Sequence, residues 1–129
     1  MKKLLHNHWP ALGWALLIFI SSSIPAEKLP DVGKSGVDKI VHFVMYFVLA
    51  AAIHWSVRHQ GVSSWARKYE LVCTILLTTT YGLTDEIHQA FVPNRNTSIL
   101  DLVADIGGAT LYVAVFWLLF RKKLFDPGS

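Results

Sequence analysis

The sequence has little cysteine, little charge and no recognised catalytic signature. A single cysteine, Cys73, in 129 residues excludes an internal disulfide. It lies in an apolar run and reads as a small buried hydrophobe, so cysteine says nothing about redox compartment. Charged residues are 16% of the chain and hydrophobic residues 53%, against about 25% and roughly 45–50% in an average soluble domain. No basic stripe interleaves with aromatics, so the net charge of +3 does not read as a nucleic-acid face. There is no H-E-x-x-H, nucleophile elbow or P-loop, and no zinc-type spacing. Internal repeats and low-complexity tracts are also missing.

Apolar length is what the chain does have, together with five Trp and seven Phe. A membrane-spanning helix needs about 20 mostly apolar residues. Four runs qualify, at about residues 4–24, 39–57, 70–92 and 99–120. The expected fold class is therefore all-α, an integral membrane bundle of four transmembrane helices, with residues 1–129 forming a single domain. Pro10 suits a first helical turn, and Pro25 helps to stop the first run. Lys2, Lys3 and Ala26 give that run some look of a signal peptide, but Ile24 and Pro25 make a poor cleavage site, so it is kept as a helix. The 25–38 connection reads as a Pro/Gly-rich loop and 58–69 as a short polar one. Asn96-Thr97-Ser98 matches a glycosylation acceptor, a triplet common by chance.

Basic residues give direction. Lys2, Lys3, Arg58, Arg67, Lys68, Arg121, Lys122 and Lys123 fall on one side, eight of the twelve Lys and Arg residues. Lys28, Lys34, Lys39 and Arg95 fall on the other, offset by acids such as Glu27, Asp31 and Asp38. Both termini are thus expected to be cytoplasmic. Trp9, Trp55 and Trp117 lie near the cytoplasmic ends, as interfacial belts do.

The ionisable residues converge on the outer side. Asp38, Lys39 and His42 open the second helix. Asp85, Glu86, His88 and Gln89 close the third. Arg95 and Ser98 lie in the connection, and Asp101 and Asp105 open the fourth. Asp38/His42, Asp85/Gln89 and Asp101/Asp105 are each four apart and so share a helix face. Gly107 and Gly108 would allow close helix packing. A carboxylate at the bilayer centre costs at least about 2.5–3.5 kcal/mol. Asp85 and Glu86 also meet the negative end of their helix dipole. They need partners, and Arg95, Lys39 and His42 are available, with Arg95 the expected counter-charge. Five acids face two fixed cations. Protonated carboxyls, charged histidines, solvent exposure or a bound cation must settle the surplus. Adjacent helix residues diverge by about 100°, so Asp85 is expected to face solvent while Glu86 points inward. His54 reads as interfacial, His6 and His8 as solvated, and Tyr46 as a packing residue one turn below His42.

"DKIVHFVMYFVLA" (38–50), "GLTDEIHQAFVPNRNTSILDLVADIGG" (82–108) and the four-run layout together resemble the VanZ-like family. These are small bacterial membrane proteins named after a teicoplanin-resistance determinant. The resemblance covers roughly residues 10–120. It rests on the D-K-x-x-H-F start, the D-E-x-x-Q block, the following arginine and the D-x-x-x-[ND]-x-x-G ending. The family usually has Asn where this chain has Asp105. The resemblance implies a four-helix protein of the cell envelope, in the bacterial cytoplasmic (inner) membrane, and names no reaction.

The favoured function is binding of an amphiphilic envelope ligand in an outward-facing polar pocket: a lipid-linked precursor, a phospholipid or a lipoglycopeptide, with consequences for envelope properties or glycopeptide susceptibility. Asp38, Lys39, His42, Asp85, Glu86, Gln89, Arg95, Asp101 and Asp105 form the pocket. Arg95 and Lys39 would meet phosphate or carboxylate. The alternative is a membrane-embedded hydrolase or transferase with His42 as base, oriented by Asp38 or another acid, and Glu86 or Asp101 as acid. A metal version of it uses His42, Glu86, Asp101 and Asp105. A purely structural role for the cluster is the bland reading. Transport ranks last, because the cytoplasmic half looks nearly free of acids. No organic cofactor is expected. Expected partners are membrane lipids and the envelope ligand, with self-association left open, and no nucleic acid.

Overall fold

The computed structural model describes residues 2–28, 36–61 and 63–125. Half of the 25–38 connection, with Asp31 and Lys34, lies outside the described residues, as do the side chains of Lys2, Lys3, Lys122 and Lys123. The helices are α1 (Lys2–Ser22), α2 (Val37–His59), α3 (Ser64–Lys68), α4 (Glu70–Gln89) and α5 (Ile99–Phe125), with a 3-10 turn at Ala26–Lys28. No strand occurs among the described residues.

The apolar runs set the four long helices, and local chemistry sets their ends. Pro10 lies well inside α1 rather than in its first turn, and the helix continues through the one backbone donor it lacks. α4 stops at Gln89, short of Val92. The N–H groups of Phe91 and Val92 turn back to the carbonyls of His88 and Gln89, both at 3.0 Å. Pro93 disfavours helical backbone at the residue before it, which explains the stop. Asn94 then adopts a left-handed φ of 59°, tolerated by Asn, and the chain reverses into α5. The 58–69 connection is not all loop. Ser63 caps α3, its Oγ accepting from the Ala66 N–H at 3.2 Å.

α2 is the centre of the bundle. It packs most extensively on α5 and also against α1 and α4, whereas α1 scarcely touches α4. Gly108 sets the α2–α5 approach. A Cβ there would fall 2.2 Å from the Phe43 carbonyl oxygen and 2.9 Å from the Phe47 nitrogen. The expectation that Gly107 and Gly108 permit close packing therefore holds, and Gly108 is the tighter of the two.

The distribution of polarity is inverted relative to a water-soluble bundle. Among the described residues, eleven buried residues are polar or charged and six are apolar. Meanwhile Leu12, Leu16, Ile20, Leu76, Leu83 and Leu118 are exposed. Soluble proteins do the reverse, and they keep exposed apolar patches small. Two segments, Val37–His59 and Ile99–Arg121, are long and apolar enough to cross a membrane, each with a mean hydropathy of 1.8. α1 and α4 are long enough, but their composition falls short. α1 carries His6, Asn7 and His8 in its second turn, and α4 carries Glu70, five threonines, Asp85 and Glu86.

Candidate functional site

The end of α1, the start of α2, the end of α4 and the start of α5 meet at one end of the bundle. Asp38 and His42 lie on successive turns of α2, with Tyr46 one turn further on. His42 Nδ1 lies 2.9 Å from Asp105 Oδ1, so Asp105, not Asp38, orients the imidazole. Asp38 is instead engaged by its neighbour: Lys39 Nζ donates to Asp38 Oδ2 at 2.7 Å and to Asp101 Oδ1 at 3.0 Å. Lys39 thus ties α2 to the first turn of α5, where the helix dipole also favours an acid.

Both adjacent carboxylates of α4 are buried, which corrects the expectation that Asp85 faces solvent. Asp85 is 4% exposed and Glu86 8%. They serve opposite walls. Asp85 accepts from Ser22 Oγ of α1 at 2.6 Å and from Gln89 Nε2 at 3.0 Å. Glu86 Oε2 accepts from the Ser98 N–H at 3.2 Å, at the start of α5. His88 reaches Ser23 Oγ at 2.9 Å and stacks on Phe19. Gly82 makes room for this arrangement, because a Cβ there would lie 3.0 Å from Asp105 Oδ2 and 3.2 Å from the Tyr46 ring.

Arg95 is not the counter-charge of the acids. Its Nε donates to the Ile24 carbonyl at 3.1 Å and its Nη2 to the Ser21 carbonyl at 2.9 Å. It bonds carbonyls at and just beyond the end of α1, where helical partners run out; the Ser21 carbonyl also accepts from the Ile24 N–H at 3.3 Å. It nevertheless lines a cavity of about 190 Å³ with Asp38, His42, Tyr46, Asp85 and Gln89. A larger cavity of about 590 Å³ lies between the same helices toward the other end, with Leu12, Leu49, Ile53, Leu77 and Tyr81 in its apolar lining.

The family model described as VanZ/LLP1 matches residues 8–121. The chain belongs to the VanZ/LLP1 family. An uncharacterised fission-yeast protein, C11E3.10 of Schizosaccharomyces pombe, is 28% identical over 88 residues, covering 67% of this chain and 51% of that protein. The chain thus spans about half the length of the curated relative it matches. No solved structure matches it.

Of the residues singled out from sequence in this VanZ/LLP1 chain, Asp38, Lys39, His42, Asp85, Glu86, Gln89, Arg95, Asp101 and Asp105 all lie at this end. Ser22 joins them without having been chosen, and so does Tyr46, read from sequence as a packing residue that could also line the pocket. A run of three serines at the end of the first apolar segment was the available sign of the former. Tyr46 is 1% exposed, with its ring nearly parallel to that of His42. A second polar cluster, at the opposite end, escaped sequence reading. His54 is buried, not interfacial: its Nδ1 lies 2.8 Å from Tyr112 Oη and its Nε2 3.4 Å from Glu70 Oε1. Arg58 pairs with the same Glu70 oxygen at 3.0 Å. The half read as nearly free of acids therefore holds one buried carboxylate.

Proposed function

We propose that this chain is a single-domain, four-span protein of the bacterial cytoplasmic membrane, with both termini inside, that binds an amphiphilic envelope ligand. The head group occupies the polar end and the hydrocarbon chain the apolar groove behind it. The observation that carries this reading is the alignment of the two cavities. On α1 the lining passes from Ala11 and Ala15 to Ile18 and Ser22. On α4 it passes from Leu77 and Tyr81 to Asp85 and Gln89. On α2 it passes from Ile53 and Leu49 to Met45 and His42. These spacings of three, four and seven follow one face of each helix. One continuous stripe per helix therefore changes from apolar to polar along its length, as a lipid does.

Several features support four spans although only two helices are apolar enough alone. α1 and α4 are 21 and 20 residues long, about 30 Å at roughly 1.5 Å per residue, and this matches a hydrocarbon core of about 30 Å. Leu12, Leu16, Ile20, Leu76, Leu77, Leu83 and Ile87 are exposed on them, whereas Ser22, Glu70, Thr74, Thr78, Asp85, Glu86 and Gln89 are buried. Thr74 and Thr78 donate to the carbonyls of Glu70 and Thr74 within their own helix, both at 2.7 Å. Such hydroxyls need no outside partner. At the polar end Arg95 offers a guanidinium suited to phosphate or carboxylate. Asp38 and Gln89 offer acceptors for hydroxyl or amine groups. Sequestering such a ligand would alter envelope properties, glycopeptide susceptibility among them.

The test is lipid retention by the purified protein in nanodiscs, read by native mass spectrometry. Phosphatidylglycerol should be retained over phosphatidylcholine. Arg95→Ala should lower that ratio several-fold, and Ala11→Trp, which fills the apolar cavity, should lower retention of both lipids. Equal retention of the two lipids by wild type and by both variants would sink the reading.

A further inference from the structure

The polar end holds more buried carboxylate than its described cations neutralise. Lys39 is shared between Asp38 and Asp101, and the guanidinium of Arg95 is turned to backbone carbonyls. Asp85 is satisfied by Ser22 and Gln89. Asp38 Oδ1 is also without a partner, but its other oxygen is held by Lys39; Glu86 and Asp105 have no such cation, only a single imidazole between them. Each has one oxygen bonded and one oxygen bare. Glu86 Oε1 and Asp105 Oδ2 are sealed from solvent and have no hydrogen-bond partner. The two residues are 8% and 1% exposed. Buried acceptors without partners are rare in folded proteins, and each one calls for an explanation such as an ion.

We propose that His42, Glu86 and Asp105 form a binding site for a first-row divalent transition-metal cation. One ligand comes from each of α2, α4 and α5, and candidate donor atoms of all three lie within 4.8 Å of one another. Donors at about 2.0–2.2 Å from one ion lie roughly 2.8–3.6 Å apart in octahedral cis or tetrahedral geometry, so the widest pair closes by no more than about 1–2 Å on binding. Two carboxylates and a neutral imidazole carry the charge that a dication cancels. The nitrogen donor selects for zinc, manganese or iron over calcium and magnesium, which prefer all-oxygen shells. Gly82 keeps the approach to Asp105 Oδ2 open where any side chain would press on it. Asp101, included in the ligand set suggested by sequence, is held by Lys39 and is not a ligand here. The site shares His42 with the polar end of the lipid groove, but α1 contributes nothing to it and neither Glu86 nor Asp105 lines the groove.

The experiment uses the full chain, stripped with chelator in detergent and titrated with Mn²⁺ while free ion is followed by electron paramagnetic resonance. Zn²⁺ is titrated separately by calorimetry. Wild type should bind one equivalent and melt at a higher temperature with metal than without. Loss of an outer-shell partner commonly costs about 10–100-fold in metal affinity, so loss of a ligand in His42→Ala, Glu86→Gln or Asp105→Asn should weaken binding at least about 10-fold. Two controls should retain affinity: Glu70→Gln, which alters a buried carboxylate at the far end, and His6→Ala, which removes an exposed imidazole. The proposal is overturned if neither ion binds wild type stoichiometrically. It is equally overturned if either control loses binding as the site variants do. Should the site variants not fold, the metal-dependent rise in melting temperature of wild type and of the two controls still decides the matter.

Discussion

Asp85 and Glu86 are neighbours in the chain and belong to different walls of the site. A step of about 100° along a helix separates them, and in a bundle that angle is enough to turn one toward α1 and the other toward α5. Burial of both follows from α4 having helices on two sides, which no local pattern announces. The residues of the site were legible because ionisable groups are rare in an apolar chain and each one stands out. Their pairings were not, because a partner is chosen by distances across the bundle. Arg95 illustrates this: charge counting assigns it to the acids, but it bonds the Ser21 and Ile24 carbonyls at the end of α1. Ser22 illustrates the converse, since a serine beside an apolar run carries no signal until Asp85 arrives opposite. Ser22→Ala removes a donor to a buried carboxylate and should destabilise the protein by about 1.5–3 kcal/mol, the range for hydrogen bonds to charged groups. Unfolding by steric trapping in detergent micelles measures this, and unchanged stability would show that the bond contributes nothing.

At the scale of elements, the close approach of α2 and α5 rests on Gly108. The Cβ of an alanine there would meet backbone, which no rotamer change can relieve, only 2.2 Å away. Overpacking commonly costs about 1–3 kcal/mol, and Gly108→Ala should reach or exceed the top of that range. Gly107→Ala meets only the Phe43 ring, at 3.3 Å, and should cost about 1 kcal/mol or less. Comparing the two unfolding free energies checks the prediction, and a reversed order would refute it. The four long helices were legible from apolar length alone. Their ends shifted by up to five residues, as at Phe125 in place of residue 120, because capping and turn bonds, not hydropathy, stop a helix. α3 was missed because five residues cannot show a helical period.

At the scale of the whole molecule, the sequence marks the chain as membrane-like, and the structure adds an apolar exterior around a polar interior. The proposed topology predicts which loops can be labelled in intact cells. In a Cys73→Ser background, a single cysteine at Asn96 should react with an impermeant maleimide from outside, and one at Ser64 only after the membrane is opened. Reaction of both from the same side would refute the four-span arrangement. The unequal apolarity of the long helices has a further consequence for biosynthesis. α2 and α5 are apolar enough to leave a translocon for lipid unaided, whereas α4 emerges carrying Asp85 and Glu86 before α5 has been made. On the proposed four-span topology its residence in the bilayer depends on a helix that follows it, so insertion of α4 would be completed late and jointly with α5. A chain truncated after residue 98 should therefore release α4 from the membrane in a microsomal insertion assay, while the full chain holds it.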